Sequence, residues 1–317
     1  MQSLKSKVFL ASTLTALCLP ALAHSPYLLP GNFKTGTRSA VLSAEVSLTD
    51  NLFFPDRAYG NQFFYLTKPD GSVEKIPDTA VFELPTRTLM EYKLTDALEG
   101  TYKVTAGPSI SKSRSWEVDG EVKRSRDPNE VIPQGAVLKS NVETHTSLEV
   151  YITAGRPETP VVPKPTGQGL EFVPITHPNQ LTVGGIFEFI VQLNGKPLPE
   201  HNVSISYSNR DYSGSSSRAS VKTDASGKAS YKLEQAGLYM ALVRFSEEGA
   251  LSADKPNLSY SKSLTFNAIT PREENAQSRD GGGRAQGQGM RGERREGQAR
   301  GEGRGEGRGE GRMQRQQ

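Results

Sequence analysis

Ala40-Val41-Leu42-Ser43-Ala44-Glu45-Val46-Ser47-Leu48 places an apolar residue at every second position. Ala40, Leu42, Ala44, Val46 and Leu48 alternate with mostly smaller or polar residues, the period of a half-buried strand and not of a helix. The same pattern recurs on both sides of this stretch. Asn61 to Thr67 reads as an aromatic-rich strand that turns at Lys68-Pro69-Asp70-Gly71, where proline presets φ and glycine accepts φ > 0. Met90, Tyr92 and Leu94 alternate in the next strand, and Thr146 to Thr153 closes a first unit. Helix signals are nearly absent after the first residues, so the chain is expected to be all-β.

Arg156-Pro157-Glu158-Thr159-Pro160-Val161-Val162-Pro163-Lys164-Pro165 follows, with four prolines that cannot donate to a ladder. It predicts a linker at 156–166 between an N-terminal β domain, 24–155, and a second domain, 167–269. In the second, Ile186 to Leu193 is a buried strand that turns at Asn194-Gly195-Lys196-Pro197-Leu198. Val203, Ile205 and Tyr207 alternate, Thr223 to Ala229 is a hairpin turn, Ala236 to Val243 leads into a late strand, and Ser261 to Asn267 closes the unit. Strands at this spacing predict an immunoglobulin-like β-sandwich. Glu99-Gly100-Thr101-Tyr102 in the first unit and Ala236-Gly237-Leu238-Tyr239 in the second share a Gly-x-Tyr before a strand. That pattern fits either a tyrosine corner or two independent core tyrosines.

The ends of the chain differ from its middle. Met1 to Ala23 has a basic start at Lys5 and Lys7, an apolar run from Val8 to Leu19, and Ala21-Leu22-Ala23 at its close. This is the layout of a cleavable export signal and predicts a periplasmic protein. The sole cysteine, Cys18, lies inside that signal, and the large Leu17 before it argues against lipidation. No later stretch reaches the roughly 20 apolar residues of a membrane span. Residues 270–317 are rich in Gly, Arg and Glu, with a four-residue repeat from Gly301 to Arg312, and predict a disordered tail. The net charge of +3 hides a near-neutral middle, because from Pro271 onward eleven Arg outnumber eight Asp and Glu. Neither nucleic acid nor an anionic membrane is expected as a partner.

Cleavage after Ala23 would leave His24 at the amino terminus. Its α-amino group and ring nitrogen, with reference pKa values of about 7.7–8.0 and 6.5, could then chelate one metal ion. Such nitrogen donors suit nickel, cobalt, copper or zinc. Pro26 lacks the third-position N–H that a square-planar terminal site needs, so further ligands must come from the fold. Three other histidines exist, His145, His177 and His201. His177, in Val173-Pro174-Ile175-Thr176-His177-Pro178-Asn179, is the candidate second ligand, against the plainer reading of a turn histidine. His145 reads as a strand-edge residue and His201 as a loop residue. Asp50, Asp56 and Glu45 are candidate carboxylate partners without a distinguishing spacing. Trp116 with Lys112, Arg114, Lys123 and Arg124 reads as a cation–π or ligand patch, or as a core tryptophan with basic residues outside. No H-E-x-x-H, C-x-x-C, G-x-S-x-G or P-loop is present, and no enzyme is expected.

His24 with Tyr27-Leu28-Leu29-Pro30, then Gly169 to Asn179, Asn194-Gly195-Lys196-Pro197 and Thr223 to Lys228, together resemble the exported bacterial family called domain of unknown function (DUF) 4198. The resemblance covers about residues 24 to 269. It implies a periplasmic all-β protein whose second half is immunoglobulin-like or similar to carboxypeptidase regulatory domains. Some members carry a nickel or cobalt uptake label, which implies an envelope transport or receptor protein as partner. Only His24 and His177 match positions associated with a metal, and Tyr27 stands where many relatives have Trp. The function expected is a non-enzymatic periplasmic metal-binding protein. A structural or adhesion module without metal is the alternative, and a copper enzyme with a histidine brace ranks last.

Overall fold

A computed structural model describes residues 25–37, 40–60, 63–95, 97–156, 163–210 and 216–273. The expected signal, His24, the tail beyond residue 273 and most of the proline-rich linker lie outside these residues. The first unit begins with β1 (Ser25–Pro30), β2 (Lys34–Thr35), β3 (Val41–Thr49), β4 (Arg57–Ala58), β5 (Phe64–Thr67) and β6 (Val73–Lys75). It continues with β7 (Val81–Glu83), β8 (Thr88–Lys93), the long β9 (Gly100–Val118), β10 (Glu121–Ser125) and the long β11 (Val137–Ala154). The second unit holds β12 (Leu170–Pro174), β13 (Ile186–Leu193), β14 (Lys196–Pro197) and β15 (Asn202–Ser208). It ends with β16 (Ser216–Lys222), β17 (Lys228–Lys232), β18 (Gly237–Ser246) and β19 (Asn257–Ala268). The protein is all-β, as the alternation requires.

Each unit is a sandwich built to one plan. In the first, the sheet β1-β3-β8-β7 packs on β6-β5-β9-β11. Leu42, Ala44, Val46, Phe64, Tyr102 and Val150 are among its buried residues. In the second, β12 and β17 flank β13 and pack on β16-β15-β18-β19 around Phe187, Phe189, Val203, Tyr239 and Phe266. Burying each such side chain contributes about 1.5–3 kcal/mol, which is what holds the layers together. The Tyr102 hydroxyl donates to the Leu98 carbonyl at 3.0 Å, and the Tyr239 hydroxyl to Gln235 at 2.8 Å. Both reach back four residues, and both follow a glycine with positive φ, Gly100 at 134° and Gly237 at 142°. The Gly-x-Tyr echo is therefore a tyrosine corner in each unit.

The two sandwiches share a sheet. β19 runs parallel to β11, from Asn257 opposite Val142 to Thr265 opposite Val150, and so joins both halves into ten strands. Neighbours in register point to the same side of a sheet, and successive residues to opposite sides. Val150 and Ile152 enter the first core, while Tyr151 joins Leu264 and Phe266 in the second. The two cores accordingly lie on opposite faces of one sheet. The boundary expected near the prolines falls where the chain leaves β11 for β12, but β19 returns across it. A third cluster, Tyr27, Leu29, Leu52, Phe53 and Met240, ties β1 to β18.

Candidate functional site

His177 lies in the seam between the sandwiches, 4 % exposed. The sharp turn Thr176 to Gln180 that carries it is closed by the Gln180 N–H donating to the His177 carbonyl at 3.0 Å. Its Nδ1 accepts the Asn179 N–H at 3.1 Å, and its Nε2 lies 3.0 Å from the Thr101 hydroxyl. An Nδ1 that accepts fixes the neutral tautomer with the proton on Nε2, which then donates to Thr101. Thr101 lies 3.0 Å from Thr153 Oγ1. Asn179 Nδ2 donates to that oxygen at 2.9 Å and to the Phe33 and Tyr151 carbonyls at 3.1 and 3.0 Å. His177 and Asn179 thus dock the second unit onto β9, β11 and the segment after β1. Both ring nitrogens are engaged in doing so.

His24 precedes the described residues, but Ser25 places the start of the strand that follows it. Ser25 stands opposite Thr49, and the next residue of that neighbour is Asp50. The Asp50 N–H donates to Asp56 Oδ2 at 2.7 Å. Between them Phe53 takes φ 66°, an uncommon conformation for an aromatic residue, and packs edge-on against Tyr27 at 5.4 Å between centroids. The Tyr27 hydroxyl donates to Glu45 Oε1 at 2.9 Å, and Arg87 Nη1 donates to Glu45 Oε2 at 2.8 Å. Burial, then the Glu45 charge, push the Tyr27 phenol far above its ordinary value. Glu45 is therefore occupied by Arg87 and Tyr27. Asp50 and Asp56 are the carboxylates gathered at the Ser25 end.

The Ser25 end and His177 lie apart. Asn179 meets the first unit at Phe33, beyond the far end of β1. The strand itself, five steps from Ser25 to Pro30, spans about 17 Å. His145 lies 2.7 Å from Glu143 Oε1, and His201 Nε2 lies 2.6 Å from the Arg244 carbonyl, both on the second face of β11 and its neighbours. Among the described residues no group of three or more His, Cys, Asp and Glu is gathered in metal-binding proximity. Trp116 is buried, as the core reading of that patch expects, and its indole N–H has no acceptor among the described residues.

Residues 21–247 match the family described as a domain of unknown function (DUF4198). The chain belongs to the DUF4198 family. No curated protein matches this DUF4198 member. Among solved structures it is similar to a tetra-tandem repeat in the extending region of a large adhesion protein, at 11 % identity and TM-score 0.21, over 78 % of this chain and 49 % of that one. It is similar to the D0-D1 domain of Intimin at 10 % identity and TM-score 0.18, over 75 % and 96 %. It is also similar to a DUF4785 family protein from Legionella pneumophila at 10 % identity and TM-score 0.23, over 68 % and 51 %. The chain spans about half the length of the first and third of these. Likeness at this level carries no argument about what the DUF4198 member binds. No helix among the described residues is long and apolar enough to cross a membrane.

Proposed function

We propose that this DUF4198 member is an exported, non-enzymatic binding protein for a divalent transition metal, with its site at the start of β1. The observation that supports this is the pairing of Ser25 with Thr49, which brings Asp50 and Asp56 beside the end where residue 24 joins the strand. Residue 24 is one peptide, about 3.8 Å between Cα atoms, from Ser25. A chain beginning at His24 would supply an amine and an imidazole there, and the two carboxylates would supply oxygen. Mixed nitrogen and oxygen donors suit nickel, cobalt, copper or zinc. His177 serves the seam and stands outside the metal shell. The layout of Met1 to Ala23 supports export to the periplasm, where an envelope transport or receptor protein would take the metal onward.

A second reading, an interaction module without metal, is favoured by the ten-stranded sheet that the two sandwiches share. Calorimetric titration of Ni(II), Co(II), Cu(II) and Zn(II) separates the two. The protein beginning at His24 is compared with one carrying an extra residue before it, and with Asp56→Asn and His177→Gln. One-to-one binding that is lost with the extra residue, weakened by Asp56→Asn and kept in His177→Gln supports the site. Equal binding with and without the extra residue moves the site from the terminus. Absence of binding in every protein overturns the metal reading and leaves the interaction module.

A further inference from the structure

Past the first core, β9 and β11 extend as an arm beside β18 and β19. The chain bends onto this arm at Gly107, where the ladder slips between Thr146 and Leu148. The registers line up one residue from each strand. Ile110 lies opposite His145, His145 opposite Tyr260, and Tyr260 opposite Phe245. The His145 and Tyr260 rings are 5.6 Å apart, and the His201 ring extends the row 5.9 Å from Phe245. These rings are half-buried and Ile110 is 55 % exposed, so they form a ledge where the sheet emerges from under the second core. Five strands at about 4.8 Å spacing give the ledge a length of about 19 Å.

On the same face, toward the tip of the arm, the ledge runs into a cleft of about 220 Å³ between the 126–128 and 253–256 segments. Two side chains build its walls. Arg114 Nη2 donates to the carbonyls of Asp127, Pro128 and Glu130 at 3.2, 3.1 and 2.6 Å. Asn141 Nδ2 donates to the carbonyls of Ser252 and Ala253 at 2.9 and 3.1 Å. The walls are thus held by buried or committed groups, while the Arg126 guanidinium and the Asp254 carboxylate line the cleft with no partner among the described residues. Lys112, Arg114 and Arg126 are balanced by Asp127, Asp254 and the adjacent Glu143, which lies 3.3 Å from Lys112.

We propose that the ledge and cleft of the arm form a binding site for a neutral oligosaccharide. A balanced set of three cations and three carboxylates offers no net field to a polyanion or a polybasic peptide. It does offer planar guanidinium, carboxylate and amide groups, which pair with vicinal hydroxyls through parallel hydrogen bonds. The rings of the ledge supply the apolar faces on which the C–H faces of pyranoses stack. The length of the ledge fits a chain of several sugars. This site is separate from the start of β1, and neither depends on the other.

The test is calorimetric titration of the full-length protein with cellohexaose, maltohexaose and chitohexaose, followed in parallel by fluorescence of Trp116, the sole tryptophan and a residue of the arm. At least one of these hexasaccharides is expected to bind and to shift the Trp116 emission. Arg126→Ala, Asp254→Asn and Tyr260→Ala are each expected to weaken it about tenfold, equivalent to about 1.4 kcal/mol. Arg126 and Asp254 are exposed, so their variants fold and keep the test valid if Tyr260→Ala does not. No binding of any of the three sugars overturns the proposal. So does binding that survives Arg126→Ala and Asp254→Asn, or a preference for heparin or an oligolysine peptide over all three sugars.

Discussion

Thr101 on β9 and His177 after β12 lie 76 residues apart in sequence and 3.0 Å apart in space, joined by one buried hydrogen bond across the seam. Removing the ring would leave the Asn179 N–H without its shown acceptor, while the Thr101 hydroxyl would keep Thr153 Oγ1. Each buried group left unsatisfied costs about 1–3 kcal/mol. His177→Ala is therefore expected to lower the unfolding free energy by about 1–3 kcal/mol, read from the urea midpoint. Metal affinity, measured on the same protein where it remains folded, should not change. A variant as stable as the parent but unable to bind metal would return His177 to the metal shell.

Glu149 marks the second lock of the seam. Its Oε1 accepts Lys262 Nζ at 2.5 Å and lies 3.5 Å from Lys103 Nζ, all three groups being buried. Burial raises the carboxyl, but the two ammonium charges outweigh it, and the pKa ends below the ordinary value. A carboxyl depressed in the folded state contributes stability above its unfolded value of about 4.3, lost as pH falls through the folded value. The urea midpoint should accordingly fall on the acid side of that range, and Glu149→Gln should flatten this limb. At neutral pH the same substitution leaves two buried ammonium groups and should cost about 3–5 kcal/mol. A Glu149→Gln protein with an unchanged midpoint at pH 7 would remove the triad from the account of stability.

The two tyrosine corners permit a matched pair of substitutions. Tyr102→Phe removes the hydrogen bond to the Leu98 carbonyl, and Tyr239→Phe removes that to the Gln235 carbonyl together with the longer one accepted from the Gln235 N–H at 3.3 Å. Tyr102→Phe should cost about 1 kcal/mol, the net worth of one such bond, and Tyr239→Phe at least as much, with the ring and its packing retained in both. Because the corners sit in different cores, the double variant should show the sum of the two in chemical denaturation. A coupling well beyond experimental error would mean that the shared sheet transmits one corner's loss to the other.

What could be read from the sequence was what its local period carries. The alternation at Ala40 to Leu48 gave β3, and the turn at Asn194-Gly195 gave the β13–β14 hairpin, where both residues take positive φ. Gly-x-Tyr admitted the corner as one of two readings because the bond spans only four residues. The parallel pairing of Val142–Val150 with Asn257–Thr265 left no such trace, since register between remote strands is not encoded in either strand alone. The sequence left His177 open between a turn histidine and a ligand, because a buried histidine and a coordinating one share a sequence. Its partners, Thr101 and Asn179, become visible only when the seam closes. The ring row on the arm was hidden for the same reason, as Ile110, His145, Tyr260 and Phe245 come from separate strands and His201 from the residue before β15.

Gly107 sets the bend between sandwich and arm. Its φ of 101° belongs to glycine, and a Cβ there would meet the Thr146 carbonyl oxygen at 2.6 Å and the Ser109 nitrogen at 2.9 Å. Both contacts are backbone, so neither can rotate away. The neighbouring slip between Thr146 and Leu148 is what brings the Thr146 carbonyl close, and only a residue without Cβ allows it. Gly107→Ala should therefore destabilise the protein by more than about 1 kcal/mol, against the gain of about 0.4–1 kcal/mol that such a change brings at a compatible site. The arm beyond the bend should move with it, so the Trp116 emission should shift even where the far-ultraviolet dichroism of the sandwiches is retained. A stabilised Gly107→Ala protein with unaltered Trp116 emission would show that the bend does not depend on glycine.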